Sequence, residues 1–243
     1  MLLRIAGWGS TALLVLALFK SAALPKPHYV LPELVQEPLQ TSATGTAYQV
    51  QAGKVDYSIK PLYDYEIRGL VVSKHNADAW WDWIHAAAND HLNVVDLCVV
   101  WGSNATDGRY LPISFSSGQW TCNFETKSSE AFQAFNQSQI SNNHLLTDSP
   151  AMARKLRNIR IGDQIVIKGQ LVEYRHKAGM DFFRGTSTVR TDSGNGACET
   201  IFASEVSVLK SAPPLWRALS WVAMGMLALC LVVWFVQPHR PRN

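Results

Sequence analysis

Gly162-Asp163-Gln164-Ile165-Val166-Ile167-Lys168-Gly169-Gln170-Leu171-Val172-Glu173-Tyr174 is the stretch on which the fold turns. A Gly-Asp turn opens it, Ile165 and Ile167 share one face by the two-residue period of a strand, and Gly169 lets the chain bend. The segment therefore reads as a long curved strand. Towards the C-terminus, residues 185–190 and 197–209 read as the closing strands. Gly194-Asn195-Gly196 between them reads as a hairpin turn, because Gly and Asn tolerate positive φ. Alternation puts Cys198, Thr200 and Phe202 on one face and Ala197, Glu199 and Ile201 on the other, so Cys198 and Glu199 point apart. Arg190 and Asp192 read as an ion pair at the rim of the turn.

Towards the N-terminus, Tyr65–Ser73 alternates and is β-rich, giving a first core strand, and Val94–Trp101 and Gln119–Glu125 give two more. Between the first two, Asn76 or Asp78 can cap a helix running to about His91. Its spacing puts Trp80, Trp83, Ile84, Ala87 and Ala88 on one face and Asp78, Asp82, His85 and Asn89 on the other, which predicts tryptophans anchored in a core. Ser128 or Ser129 caps a short helix carrying Phe132 and Phe135, with Glu130 in its first turn, and Ser149-Pro150 opens another ending near Ile159. The fold class is therefore α+β: a small curled antiparallel sheet or partly open barrel with short helices. The strand pattern of Gly162–Lys210 resembles oligonucleotide/oligosaccharide-binding (OB-like) barrels. The combination of Asp96-Leu-Cys-Val-Val-Trp-Gly102, Ser141-Asn-Asn-His144 and Gly194-Asn-Gly-Ala-Cys-Glu199 resembles a family of bacterial membrane-anchored proteins of uncharacterised function, a likeness that implies no activity.

The ends of the chain are apolar. Ala218–Val236 is 19 residues without a charge, about the length of helix that crosses a hydrocarbon core, flanked by Trp216, Arg217, Trp234 and a basic tail, residues 237–243. We expect a transmembrane helix over 215–236 with a short cytoplasmic tail. Residues 1–23 read as a cleaved signal peptide or an uncleaved anchor, and 24–61, with Pro25, Pro27, Pro32 and Pro38, as a spacer holding at most a short strand near Tyr48–Val50. Both readings of the N-terminus place the domain, residues 62–212, outside the cytoplasm, in the periplasm or extracytoplasmic space of a bacterial inner-membrane protein; the opposite orientation remains open on flanking charge alone. The chain carries +3, but residues 24–214 hold 17 Lys and Arg against 19 Asp and Glu, about −2. Such a surface is poorly suited to nucleic acid.

Three of the four cysteines, Cys98, Cys122 and Cys198, fall in the domain and Cys230 in the span. In an oxidising compartment one pair forms, with Cys98 and Cys122 expected as mid-strand neighbours and Cys122–Cys198 as the alternative. No Cys-x-x-Cys or His-x-x-x-His pattern is present, so neither metal nor cofactor is expected. His75, Asp96, His144, Arg190 and Glu199 form the candidate polar cluster, drawn from strand ends and loops around the mouth of the barrel. Three functions fit these residues. The first is a membrane-tethered module of the cell envelope that binds or assembles a peptide, glycan or envelope protein. The second is an envelope hydrolase, using His144 with Cys198 or a serine, or a metal held by His75, His144 and a carboxylate; no Gly-x-Ser-x-Gly elbow supports it. The third is an accessory subunit of a membrane complex, with Ser220, Ala223, Gly225 and Ala228 making helix contacts.

Overall fold

The computed structural model describes residues 2–21, 23–192, 197–212 and 215–237. Helix α1 (Leu2–Ser21) precedes a compact unit spanning residues 24–212. In chain order that unit contains β1 (Leu39–Ser42), β2 (Tyr48–Ala52), β3 (Val55–Asn76), α2 (Trp83–Ala87), β4 (Asn93–Val100), α3 (Gly102–Thr106), β5 (Ser114–Gly118), β6 (Thr121–Glu125), α4 (Ser129–Ala134), β7 (Ile140–Leu146), α5 (Pro150–Asn158), β8 (Gln164–His176), β9 (Phe182–Arg184) and β10 (Cys198–Lys210). The terminal helices α1 and α6 (Leu215–Val236) are each long and apolar enough to cross a membrane.

Five strands close a ring in the order β3-β4-β7-β10-β8, with β8 pairing back onto β3. All its pairings are antiparallel except β7–β10, which is parallel, so the sheet is mixed rather than wholly antiparallel. The parallel pair follows from the connection: β10 is reached from β7 through α5, β8 and β9, a path long enough to reverse direction twice. Strands β1 and β2 extend the sheet from β3, and β9 from β8. The hairpin β5–β6 forms a second, two-stranded sheet.

The stretch around Gly162 behaves as its pattern demands. Gly162 takes φ +86 at the turn, and Gly169 pairs with both Tyr65 and Ala203 where a Cβ would overlap the Phe202 carbonyl oxygen. Alternate residues of the ring, among them Ile67, Val95, Leu97, Leu145, Ile165, Ile167, Leu171 and Ile201, form one buried core, into which α5 packs Ala153, Leu156 and Ile159. Both short helices begin as their caps dictate: the hydroxyls of Ser128 and Ser149 accept from the backbone N–H groups of Ala131 and Met152.

Four expectations need correction. Residues 24–61 are not a loose spacer: β1, β2 and the start of β3 lie there, and Val30 and Leu34 are buried against Leu70, Val72 and Tyr110. The helix expected over 76–91 shrinks to Trp83–Ala87, because β3 runs on to Asn76 and the N-cap is Asp82, whose carboxylate accepts from the His85 N–H. That register buries His85 and turns the tryptophans out, with Trp80 92% exposed and Trp83 71%. Residues 185–190 form no strand, and β10 pairs with β7 and β8 instead; the expected Gly194-Asn195-Gly196 turn lies outside the described residues. Cys98 and Cys122 do form a disulfide, with Cα atoms 5.6 Å apart, but not as sheet neighbours: it ties the β5–β6 hairpin to ring strand β4.

Candidate functional site

Strand register brings the polar residues together. His75 lies opposite Asp96, Asp96 opposite His144, and His144 opposite Thr200, so one row crosses β3, β4, β7 and β10. Two residues along, Cys98, Asn142 and Cys198 make a second row on the same face. The row between, Leu97, Asn143 and Glu199, faces the ring core. Asp96 and His144 are thus brought into contact, and Arg190 and Glu199 into another, while His75 joins two residues absent from the sequence-based cluster.

On the outer face, His144 Nδ1 lies 2.6 Å from Asp96 Oδ1, and both side chains are fully buried. Burial pulls the His144 imidazolium down, but the Asp96 carboxylate raises it further, to about 9. Asp96 is held below the ordinary carboxylate range: burial opposes ionisation, and His144 and Asn93 outweigh it. His144 Nε2 meets the Arg184 guanidinium, which can only donate, so that contact lasts only while Nε2 keeps its lone pair. The Cys198 thiol, diagonally across the pairing on β10, adds to the upward pull on His144. Proton and guanidinium therefore compete for one nitrogen beside a free thiol.

Asp96 also reaches the hairpin. Its Oδ2 accepts from the Trp120 N–H at 3.2 Å, and Asn142 Nδ2 donates to the Trp120 carbonyl at 3.1 Å. These bonds hold Trp120 at φ +61, a left-handed backbone that a bulky residue keeps only when its surroundings impose it. The Arg184 guanidinium stacks over the Trp120 ring at 4.9 Å. From Asp96 the network continues through Asn93, whose Nδ2 donates to Asp96 Oδ1 at 2.8 Å and to His85 Nε2 at 3.1 Å. His85 Nδ1 and His75 Nε2 each lie 2.6 Å from Asp82 Oδ2. Asp82 is held low as well, burial opposing and the His75 and His85 contacts prevailing.

The absence of a metal pattern in the sequence contrasts with this last cluster. His75, Asp82 and His85 bring their ligand atoms within 4.8 Å of one another, two imidazoles and a carboxylate of the kind that hold zinc or iron. Because Asn93 donates to His85 Nε2, the imidazole proton sits on Nδ1, the atom a metal would need, so binding there must displace a proton.

On the inner face, Glu199 is 2% exposed and pairs with Arg190 rather than leaving it to Asp192, which instead accepts from Ser187. Arg190 also donates to the Tyr65 hydroxyl at 2.8 Å and lies over the Tyr65 and Trp101 rings. Burial pushes Glu199 up to about 7 against the pull of Arg190.

Both faces open on a cavity of about 600 Å³ lined by residues including Trp120, Asn142, Arg184, Arg190, Cys198 and Glu199. Trp120 Nε1, Arg184 Nε, Asn142 Oδ1 and Glu199 Oε2 are buried there without a hydrogen-bond partner among the described residues. Sequence reasoning missed Trp120, Asn142, Arg184, Asp82 and His85 as a group. Asn142 sits within the Ser141–His144 stretch and Trp120 within the strand expected over Gln119–Glu125, but no local signal marks Trp120 or Arg184 as facing a site. Compared with known protein families, curated protein sequences and solved structures, the chain matches none.

Proposed function

We propose that this chain is a membrane-tethered, extracytoplasmic binding module of the bacterial cell envelope, anchored in the inner membrane and taking a short peptide or glycan segment of its surroundings in the cavity. One observation carries the reading: two buried donors, Trp120 Nε1 and Arg184 Nε, and two buried acceptors, Asn142 Oδ1 and Glu199 Oε2, have no partner among the described residues and surround one space. An unpaired buried polar group costs about 1–3 kcal/mol, so four in one place favour an occupant that offers both acceptors and donors. Amides and sugar hydroxyls do. The ring order is consistent with an OB-like barrel, whose ligands bind across the second and third strands and the loop between the fourth and fifth. Those positions correspond here to β4, β7 and the segment holding Arg184 and Arg190. The two apolar helices favour a bilayer as the fixed partner, and the disulfide favours an oxidising compartment.

The test is calorimetric titration of the full-length protein in detergent with short peptides and with cell-wall oligosaccharides. Trp120→Phe keeps the ring but removes the indole N–H, and Glu199→Gln removes a carboxylate oxygen; each is expected to weaken binding about tenfold. Binding that is equally tight in both variants sinks the reading.

A further inference from the structure

We propose that Cys198 is a nucleophile served by His144 as its base, with Asp96 as a positioning residue, and that the cavity carries out acyl transfer from an amide or ester. The inference shares the cavity and the donors Trp120 Nε1 and Arg184 Nε with the binding reading, but its reacting groups, Cys198 and His144, are different.

The three side chains have the connectivity such chemistry needs. Cys198 is a free, half-buried cysteine lining the cavity. It sits diagonally across the β7–β10 pairing from His144, near enough for the thiol to raise the imidazole; Asp96 holds Nδ1 at 2.6 Å, so Nε2, which Arg184 also contacts, is the nitrogen that can take the thiol proton. A nucleophile, a base in reach of it and a third group that fixes the base is the arrangement that activates a thiol. The geometry is built into the fold rather than contributed by a loop: His144 and Asp96 are cross-strand partners, and Cys198 is paired with Asn142, two residues before His144 on the same face.

Donors for the developing oxyanion are also present. Asn142 Nδ2 lies 3.6 Å from Cys198 Sγ, and Trp120 Nε1 and Arg184 Nε, without a partner among the described residues, belong to the same cavity wall. In the step itself, His144 Nε2 already holds the thiol proton, as an imidazole raised to about 9 would, and the Sγ thiolate bonds to the carbonyl carbon. The tetrahedral adduct collapses with cleavage of the C–N or C–O bond, and His144 returns that proton to the leaving amine or alcohol. Water, deprotonated by His144, then attacks the thioester, releasing the acid and restoring the thiol. Arg184 must leave Nε2 when the proton arrives, and its stacking partner Trp120 gives it a place to remain.

The experiment uses the full-length protein in detergent and p-nitrophenyl acetate as the acyl probe. The expected result is a burst of p-nitrophenolate equal to the protein present, with the acetyl group mapped to Cys198 by peptide mass spectrometry. Cys198→Ala abolishes the burst, as does prior alkylation of the wild type with iodoacetamide, a measurement that does not depend on the variant folding. Cys230→Ala leaves it intact. His144→Gln, checked for folding by circular dichroism, slows it on the order of 100-fold. Asp96→Ala slows it and Asp96→Glu recovers part of the rate, a recovery that loss of packing alone would not produce. Acetylation of Cys198 no faster than that of Cys230, or an unchanged rate in folded His144→Gln, overturns the inference. A burst in protein that binds none of the peptides or oligosaccharides supports the nucleophile while removing the binding reading; ligand binding without a burst does the reverse.

Discussion

Asp96 accepts from His144 at 2.6 Å across directly paired positions of β4 and β7, and neither side chain reaches solvent. The same carboxylate accepts from Asn93 and from the backbone of Trp120, so one residue joins the buried histidine network to the hairpin over the cavity.

Removing it leaves His144 buried without its counter-charge and releases the Trp120 backbone. Breaking one side of a buried, hydrogen-bonded pair costs about 3–5 kcal/mol. Asp96→Ala is therefore expected to lower the unfolding free energy by that amount in urea titrations at neutral pH. Asp96→Asn, whose single amide oxygen keeps an acceptor for Nδ1–H while its NH2 gives up the Trp120 N–H contact, is expected to lose less.

Reduction of the Cys98–Cys122 disulfide reports on the hairpin. The bond closes a loop with a sequence separation of 24, and constraining an unfolded chain of that length is worth about 3 kcal/mol. Dithiothreitol should lower the unfolding midpoint of the wild type and leave that of a Cys98→Ala/Cys122→Ala variant unmoved. If the hairpin is held mainly by the disulfide, reduction also weakens ligand binding, because Trp120 sits at its turn.

The tryptophans divide sharply. Trp101 is fully buried and donates from Nε1 to Glu37 at 2.8 Å, whereas Trp80 is 92% exposed. Trp101→Ala is expected to cost about 3–5 kcal/mol, the usual consequence of removing a core indole, and Trp80→Ser to stay within about 0.5 kcal/mol. Differential scanning calorimetry of the two variants would separate them, and a large loss at Trp80 would contradict its exposed place in the turn before α2.

That division also marks where the sequence stops being informative. Local chemistry was readable: the Ser128 and Ser149 caps, the curved strand through Gly169 and the core-facing side of Glu199 all follow from neighbours within a few residues, whereas Cys98 and Cys122 pair across a sequence separation of 24 and not as the sheet neighbours expected. The helix near Trp80 misled because its periodicity fitted two registers, and the choice between them was made by Asp82, whose partners His75 and Gln119 lie outside the helix. Ring closure was hidden for the same reason. The β3–β8 pairing joins residues as far apart as Ser58 and Arg175, and nothing local encodes it. The cavity depends on that closure, so Arg184, Trp120 and Asn142 emerged as a group only in three dimensions, while Glu199 stood out in advance as an acid among apolar neighbours.

Glu199 and His144 give the fold a definite response to pH. Burial raises Glu199 from 4.5 to about 7 in spite of Arg190, so the folded state holds its proton more tightly than the unfolded chain does. The resulting stability is present in full below 4.5 and is lost as pH rises through about 7. At His144 burial acts downward and Asp96 more strongly upward, from 6.5 to about 9, so its contribution is present below 6.5 and lost as pH rises through about 9. The two losses run in the same direction and overlap near neutrality. Asp96 and Asp82, both held low, act oppositely: their contribution is present above the ordinary 3.8 and disappears as pH falls further. Stability should therefore peak near the acid end of the range and decline towards alkaline pH, by no more than about 3 kcal/mol for either group. Urea midpoints measured across that range would show it. Glu199→Gln is expected to flatten the lower part of the decline and His144→Gln the upper part, each leaving the other in place. A Glu199→Gln protein that keeps the wild-type slope below neutrality would mean that the carboxyl titrates elsewhere, and that the buried acid facing the cavity is ionised throughout.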